Sequence, residues 1–218
     1  MLTNPHATTP VYQAGAPLET AAGAVVLLHG RGASAQDILT LRAELGAPFD
    51  TKLAWLAPQA AGATWYPYSF LAPRDENEPY LSSALQKVEA VVASIEAAGI
   101  DRSRIVIAGF SQGACLTSEF VATHPARYAG VMAFTGGLIG PQGSDVSHTG
   151  DLAGTPALLT GGDPDPHVPW SRVEQTAEVL RGMGAQVAIH RYPDKPHSIS
   201  WAELAHARTL LEEAFPKL

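Results

Sequence analysis

The stretch Ile105-Val106-Ile107-Ala108-Gly109-Phe110-Ser111-Gln112-Gly113-Ala114 reads as a buried strand running into a tight turn, with a helix beginning just beyond it. Ser111 is the centre of a G-x-S-x-G pattern. Glycine at 109 and 113 lets strand and helix approach closely, and a strained turn there lifts the serine hydroxyl clear of the sheet. Alone, the five-residue pattern fits a bland turn serine about as well as a nucleophile. Its meaning depends on whether a base, an acid and an oxyanion site stand elsewhere in the order such an architecture requires.

Working outward, the same strand-loop-helix rhythm repeats on both sides. Ala24-Val25-Val26-Leu27-Leu28 is a continuous apolar run of the kind buried on both faces of a parallel sheet, and it ends in His29-Gly30-Arg31-Gly32. Ser34 and Asp37 form a capping box for a helix whose apolar side carries Ile38, Leu41 and Leu45. The run Leu53-Ala54-Trp55-Leu56-Ala57 opens the next unit. It breaks into a long connection over residues 58–79 that contains Trp65, Tyr66, Tyr68 and Phe70. A connection that long in a compact domain is usually functional or mobile. A helix is predicted from Ser83, with Gln86 as its capping partner, to about Ala98, carrying Leu85, Val88, Val92 and Ile95 on one stripe.

Beyond the serine turn, the helix is expected to end near His124-Pro125. Strands follow at residues 131–134, 157–160 and 187–190. A helix through Val173, Ala177 and Leu180 precedes the last strand, and one with Trp201, Leu204 and Leu211 on its apolar side closes the chain. Apolar runs alternating with helices argue for an α/β fold with a mostly parallel central sheet and helices on both faces. Residues 1–218 are read as one domain, with residues 1–23 an irregular arm or edge strand.

Composition narrows the function. Seven more acidic than basic residues give a net charge of -7 with no basic run, which argues against nucleic acid and against an anionic membrane as partners. The single cysteine, Cys115, rules out an internal disulfide or a cysteine-based zinc site, and within its helix it reads as a small buried apolar residue. No secretory signal and no bilayer-length apolar run is present, so a cytoplasmic enzyme fits best. His6, His124, His148, His190 and His206 show no spacing that would build a metal site. No cofactor or metal is expected. Oligomeric state is left open, a homodimer included.

In open parallel sheets the working residues sit in loops beyond the carboxyl ends of the strands. Ser111, the pair Asp163 and Asp165, His197, and the His29-Gly30-Arg31 turn all fall there. A serine hydroxyl needs a base to take its proton during attack, histidine suits that task near neutral pH, and a carboxylate must fix the histidine tautomer. The chain order serine, aspartate, histidine is that of the α/β-hydrolases. Arg31 and Gln112 are placed to offer backbone amides to an oxyanion. Spacing leaves open which of Asp163 and Asp165 is the acid.

Four motifs carry a resemblance to a known family: Leu28-His29-Gly30-Arg31-Gly32, Gly109-Phe110-Ser111-Gln112-Gly113, Gly162-Asp163-Pro164-Asp165-Pro166-His167-Val168-Pro169, and Pro196-His197-Ser198. The chain resembles the phospholipase/carboxylesterase group of small α/β-hydrolases, which includes acyl-protein thioesterases and bacterial carboxylesterases. The resemblance implies an α/β-hydrolase fold and assigns the acid to the aspartate three residues before Val-Pro, Asp165, leaving Asp163 to shape the loop through an Asx-type turn. Family thioesterases commonly read His-Gly-Leu-Gly-Asp in the first loop, where this chain has Arg31 and Ala33. The segment from Thr64 to Phe70 stands where relatives have Ser-Trp-Phe-Asp beside the acyl site. Substrate preference is therefore not carried over with the fold.

The expectation is a serine hydrolase of small to medium carboxylic esters or thioesters with an open site, no separate cap domain, and a small-molecule substrate as its partner. A lactone hydrolase using the same triad, or a non-catalytic binding protein that kept the fold, are the rivals. Trp65 and Tyr66 are as suited to pinning the loop to the core as to lining a substrate pocket. His167 is a ligand contact or a solvated loop residue, and His29 reads as a brace for the oxyanion loop. Arg31 is either solvated or presents its charge to an acidic substrate.

Overall fold

The computed structural model describes residues 4–218; of the expected arm over 1–23, residues 1–3 lie outside the described residues. The chain runs β1 (Val11–Gly15), β2 (Ala24–Leu28), three short helices α1 (Ala35–Leu39), α2 (Leu41–Leu45) and α3 (Phe49–Lys52), then β3 (Ala54–Pro58). It continues through α4 (Tyr80–Ala97), β4 (Ile105–Phe110), α5 (Gln112–Thr123), β5 (Gly130–Phe134) and β6 (Pro156–Asp163). The last elements are α6 (Trp170–Gly182), β7 (Gln186–Pro193) and α7 (Trp201–Ala214). The strands form one sheet in the order β1-β3-β2-β4-β5-β6-β7. Only β1, the edge strand within the N-terminal arm, pairs antiparallel to its neighbour; the others are parallel.

Strand β2 shows why the sheet is covered on both sides. All five of its residues are buried, Ala24, Val26 and Leu28 in one core cluster and Val25 and Leu27 in the other. The first cluster packs against α4, α5 and α6 through residues such as Val88, Phe120 and Val173. The second packs against α1 to α3 and α7 through Ile38, Phe49 and Leu204. After β2 the chain steps outward to β3, then returns to place β4 on the other side of β2. Loops leaving β2 and β4 therefore diverge, and a crevice opens at their carboxyl ends.

The sequence expectations hold for most elements and fail at three for local reasons. The Ser34–Asp37 capping box is present, but the helix it starts breaks at Thr40 into α1 and α2. Helix α4 begins at Tyr80 rather than Ser83. Glu78 accepts from the Ser82 amide and hydroxyl and so performs the cap. Ser83 is buried inside the helix, where its hydroxyl accepts from the His6 amide and donates to Asn4. Trp201, expected on the apolar side of α7, is the first residue of that helix and is 75% exposed.

Candidate active site

Glycines fix the turn at the end of β4. A Cβ on Gly109 would lie 2.5 Å from the backbone of Gly113, and one on Gly113 would collide with the Leu28 carbonyl. Strand, turn, helix and β2 can close only without those side chains. Ser111, between them, has φ 54° and ψ -117°. That is a strained conformation for a residue with a Cβ, of the kind sustained only where the surroundings over-determine it. Ser111 stands at the N-cap of α5, yet its side chain makes no capping hydrogen bond. Its Oγ instead lies 2.8 Å from His197 Nε2.

His197, in the loop after β7, has its other nitrogen, Nδ1, 2.8 Å from Asp165 Oδ2. Asp165 follows β6, and its second oxygen accepts from the amides of His167 and Val168, both at 2.9 Å. The Asp165 side chain is fully buried. Burial alone would raise its carboxyl pKa, but the hydrogen bonds from His197, Val168 and His167 outweigh it and hold the group below its ordinary range. The Asx-type turn expected of Asp163 is thus made by Asp165. Asp163 instead pairs with Arg191 on β7.

The His197 loop is anchored by Glu203, a fully buried carboxylate. Glu203 accepts from Thr160 Oγ1 at 2.6 Å, from the Ser200 amide and hydroxyl at 2.7 and 2.8 Å, and pairs with Lys195 at 3.2 Å. Lys195 also donates to the Ser198 carbonyl, so the segment around His197 is bound at both ends. The Phe110 and His167 rings pack against His197 with centroids 5.1 and 4.7 Å away. Glu203 was not singled out in the sequence. Its signal, a Ser200-x-x-Glu203 capping box, was readable, but its reach to Lys195 and Thr160 was not.

The turn after β2 runs beside Ser111: a Cβ on Gly30 would lie 3.5 Å from the Ser111 Cβ. The backbone N–H groups of Arg31 and Gln112 donate to no acceptor among the described residues. Gln112 is the first residue of α5, so its amide is one of the helix's unsatisfied donors, at the positive end of the helix dipole. His29 braces the turn as expected: Nδ1 lies 2.8 Å from the Gly30 carbonyl while Nε2 accepts from the Ala60 amide at 3.1 Å. Burial lowers its pKa, which favours the neutral ring that this pattern requires.

A cavity of about 480 Å³ connects these groups, lined among others by Arg31, Tyr66, Phe110, Ser111, His167 and His197. Trp65 is not among the lining residues. It is fully buried and its indole donates to the His29 carbonyl at 2.8 Å, an anchor for the loop. Tyr66 does line the cavity, and its buried hydroxyl has no hydrogen-bond partner among the described residues beyond a weak contact with the Cys115 thiol. Burial pushes that thiol up to about 12, so Cys115 is an inert wall residue. Asn77, also missed in the sequence, holds the same wall by accepting from the Tyr68 amide and donating to the Ser69 carbonyl. No group of three or more His, Cys, Asp or Glu side chains among the described residues is placed to hold a metal ion.

A parallel sheet with a serine on a strained strand-to-helix turn, and with an aspartate and a histidine on later strand ends, defines an α/β-hydrolase. Comparison with known proteins takes this further. Residues 13–214 match the family model described as Phospholipase/Carboxylesterase, and the chain belongs to that family. A crystal structure of a phospholipase/carboxylesterase from Dyadobacter fermentans is 45% identical, with a TM-score of 0.88 over 94% of this chain and 97% of that one. A probable carboxylesterase SOBER1-like protein of Arabidopsis thaliana is 28% identical over 87% of this chain and 78% of its own length. An acyl-protein thioesterase 1 of Gibberella zeae is 32% identical over 54% of this chain and 51% of its own length. The chain is a hydrolase of the ester-cleaving class. No helix among the described residues is long and apolar enough to cross a membrane.

Proposed function

We propose that this hydrolase cleaves carboxylic esters or thioesters of small to medium acyl groups through an acyl-Ser111 intermediate. The observation that carries the reading is the continuous contact from Ser111 Oγ to His197 Nε2 and from His197 Nδ1 to Asp165, both at 2.8 Å. His197 takes the Ser111 proton as Oγ attacks the carbonyl carbon. Asp165 holds the ring in the tautomer that leaves Nε2 free to accept, and it stabilises the imidazolium that forms. The amides of Arg31 and Gln112 receive the oxyanion. His197 then returns the proton to the departing alcohol or thiol, and water repeats the sequence to release the acid. A cavity of about 480 Å³ suits acyl groups of modest size.

The test is Ser111→Ala, with circular dichroism to confirm folding. Turnover of p-nitrophenyl esters is expected to vanish, together with labelling by a fluorophosphonate probe. A variant that keeps wild-type kcat would sink the proposal. A wild-type protein that neither labels nor turns over would point to a non-catalytic relative. A panel of esters, thioesters and lactones then ranks the leaving groups.

A further inference from the structure

We propose that Arg31 makes this site selective for esters or thioesters that carry a carboxylate. The inference rests on the reading of Ser111 as the acyl-transfer nucleophile and names the substrate class of that site. Arg31 lines the same cavity as Ser111 and His197. Its guanidinium is held in place, with Nη1 donating to the Pro67 carbonyl at 2.7 Å and Nη2 to the Tyr68 carbonyl at 2.6 Å. It also stands 6.0 Å from the centroid of the Tyr66 ring. These partners fix its position and leave its charge uncompensated.

No carboxylate pairs with Arg31 among the described residues, and no Asp or Glu lines the cavity. Arg127, Arg172 and Arg181 likewise bond backbone carbonyls with no carboxylate partner among the described residues, but they stand outside the reactive cavity, whereas Arg31 lines it. A guanidinium has five N–H donors, and the two carbonyl contacts leave others free for the planar fork that suits a carboxylate. Because the group is already immobilised, little further side-chain entropy is lost when it engages an anion.

The experiment compares kcat/KM within two matched pairs. Mono-p-nitrophenyl succinate against p-nitrophenyl butyrate places the anion on the acyl side. The pair 4-acetoxybenzoate and 4-acetoxybenzamide places it on the leaving group. Any change in the Arg31 amide at the oxyanion is common to both members of a pair, so the ratio isolates the side chain. In at least one pair, Arg31→Gln is expected to lower the anionic-to-neutral ratio by about tenfold, and Arg31→Lys to restore part of it. The pair that responds locates the carboxylate.

Salt provides a second reading on the wild-type enzyme, independent of how the variants fold. Screening the net charge of -7 would raise kcat/KM for an anionic ester as salt increases. Screening a local attraction to Arg31 lowers it, and a fall of about threefold or more between roughly 20 and 500 mM salt is expected. A ratio unchanged by Arg31→Gln in both pairs, or a rate for the anionic esters that climbs with salt, overturns the proposal while leaving the acyl-transfer reading standing. A wild-type enzyme inert on all four esters overturns both.

Discussion

Gln112 Nε2 donates to the Tyr66 carbonyl at 2.8 Å, while its Oε1 accepts from the Trp65 amide at 3.0 Å. The residue after the candidate nucleophile thus grips, with its side chain, the segment that walls the cavity. Arg31 grips the next two residues of that segment. The two residues whose amides are proposed to receive the oxyanion also hold the aromatic wall, so on that reading wall and oxyanion site are positioned together.

Replacing Gln112 by Ala separates these duties, because the backbone amide survives and the side chain does not. The buried Trp65 amide loses its acceptor, at a cost of about 1–3 kcal/mol, while the Tyr66 carbonyl keeps the Thr64 hydroxyl. The expected result is a lower melting temperature and a KM raised about threefold to tenfold, with fluorophosphonate labelling of Ser111 retained. Michaelis kinetics, thermal melts and probe labelling check it. Loss of labelling in a folded variant would show that the side chain supports the nucleophile itself.

Asp165 and Asp163 are distinguished by their neighbours. Asp165→Asn removes the buried carboxylate that orients His197, and the comparable change in a serine protease triad costs about 10⁴ in kcat. A loss of about 10³ to 10⁴ is expected here. Asp163→Asn removes a pairing with Arg191, whose side chain is 56% exposed, and such surface pairs contribute about 1 kcal/mol at most. Its kcat is expected to stay within about twofold of wild type by the same argument. Equal impairment of the two variants would defeat the assignment of the acid.

The sheet was legible because runs such as Ala24-Val25-Val26-Leu27-Leu28 have no polar face, and only a strand covered on both sides tolerates that. The positions of Ser111 and His197 were legible because motif and chain order together fix loop ends. What escaped the sequence depends on partners far along the chain. Ser83 looks like a cap until its hydroxyl finds Asn4 and the His6 amide. Glu203 looks like a helix-start residue until Lys195 and Thr160 reach it. Trp65 reads equally as pin or pocket wall until its indole finds the His29 carbonyl, 36 residues away, and anchors there. Local pattern fixes elements, whereas buried polar partners are chosen by tertiary structure.

Glu203 is expected to act on catalysis through position alone. Glu203→Ala leaves Lys195, whose side chain is 7% exposed, without its carboxylate and frees the start of α7 from β6. Removing one partner of a buried pair typically costs about 3–5 kcal/mol. The His197 ring, two residues from Lys195, should then lose register with Ser111. A fall in kcat with little change in KM is the expected signature, read by steady-state kinetics below the melting transition. A destabilised variant with wild-type kcat would confine Glu203 to a structural role.

Acid should loosen the aromatic wall through two neutral histidines. His6 Nε2 lies 2.9 Å from the Trp65 carbonyl, and Nδ1 accepts from the Ala61 amide at 3.0 Å. His29 holds Ala60 in the same way. A proton on either accepting nitrogen would face an N–H donor. Burial lowers both pKa values from the ordinary 6.5, only partly opposed by the carbonyl each ring contacts, and Lys87 lowers His6 further. His190, stacked on His206, shifts in the same direction. Between the lowered folded values and 6.5 the unfolded chain binds more protons, so stability rises with pH across that window. This contribution is complete above about 6.5 and is lost as pH falls through the folded values. Melting temperatures measured from about pH 8 to about pH 5 should therefore fall on acidification, ahead of the ordinary carboxylate range near 4. His6→Gln should flatten that slope even though it lowers stability at pH 8. A slope identical to wild type would remove His6 from the account.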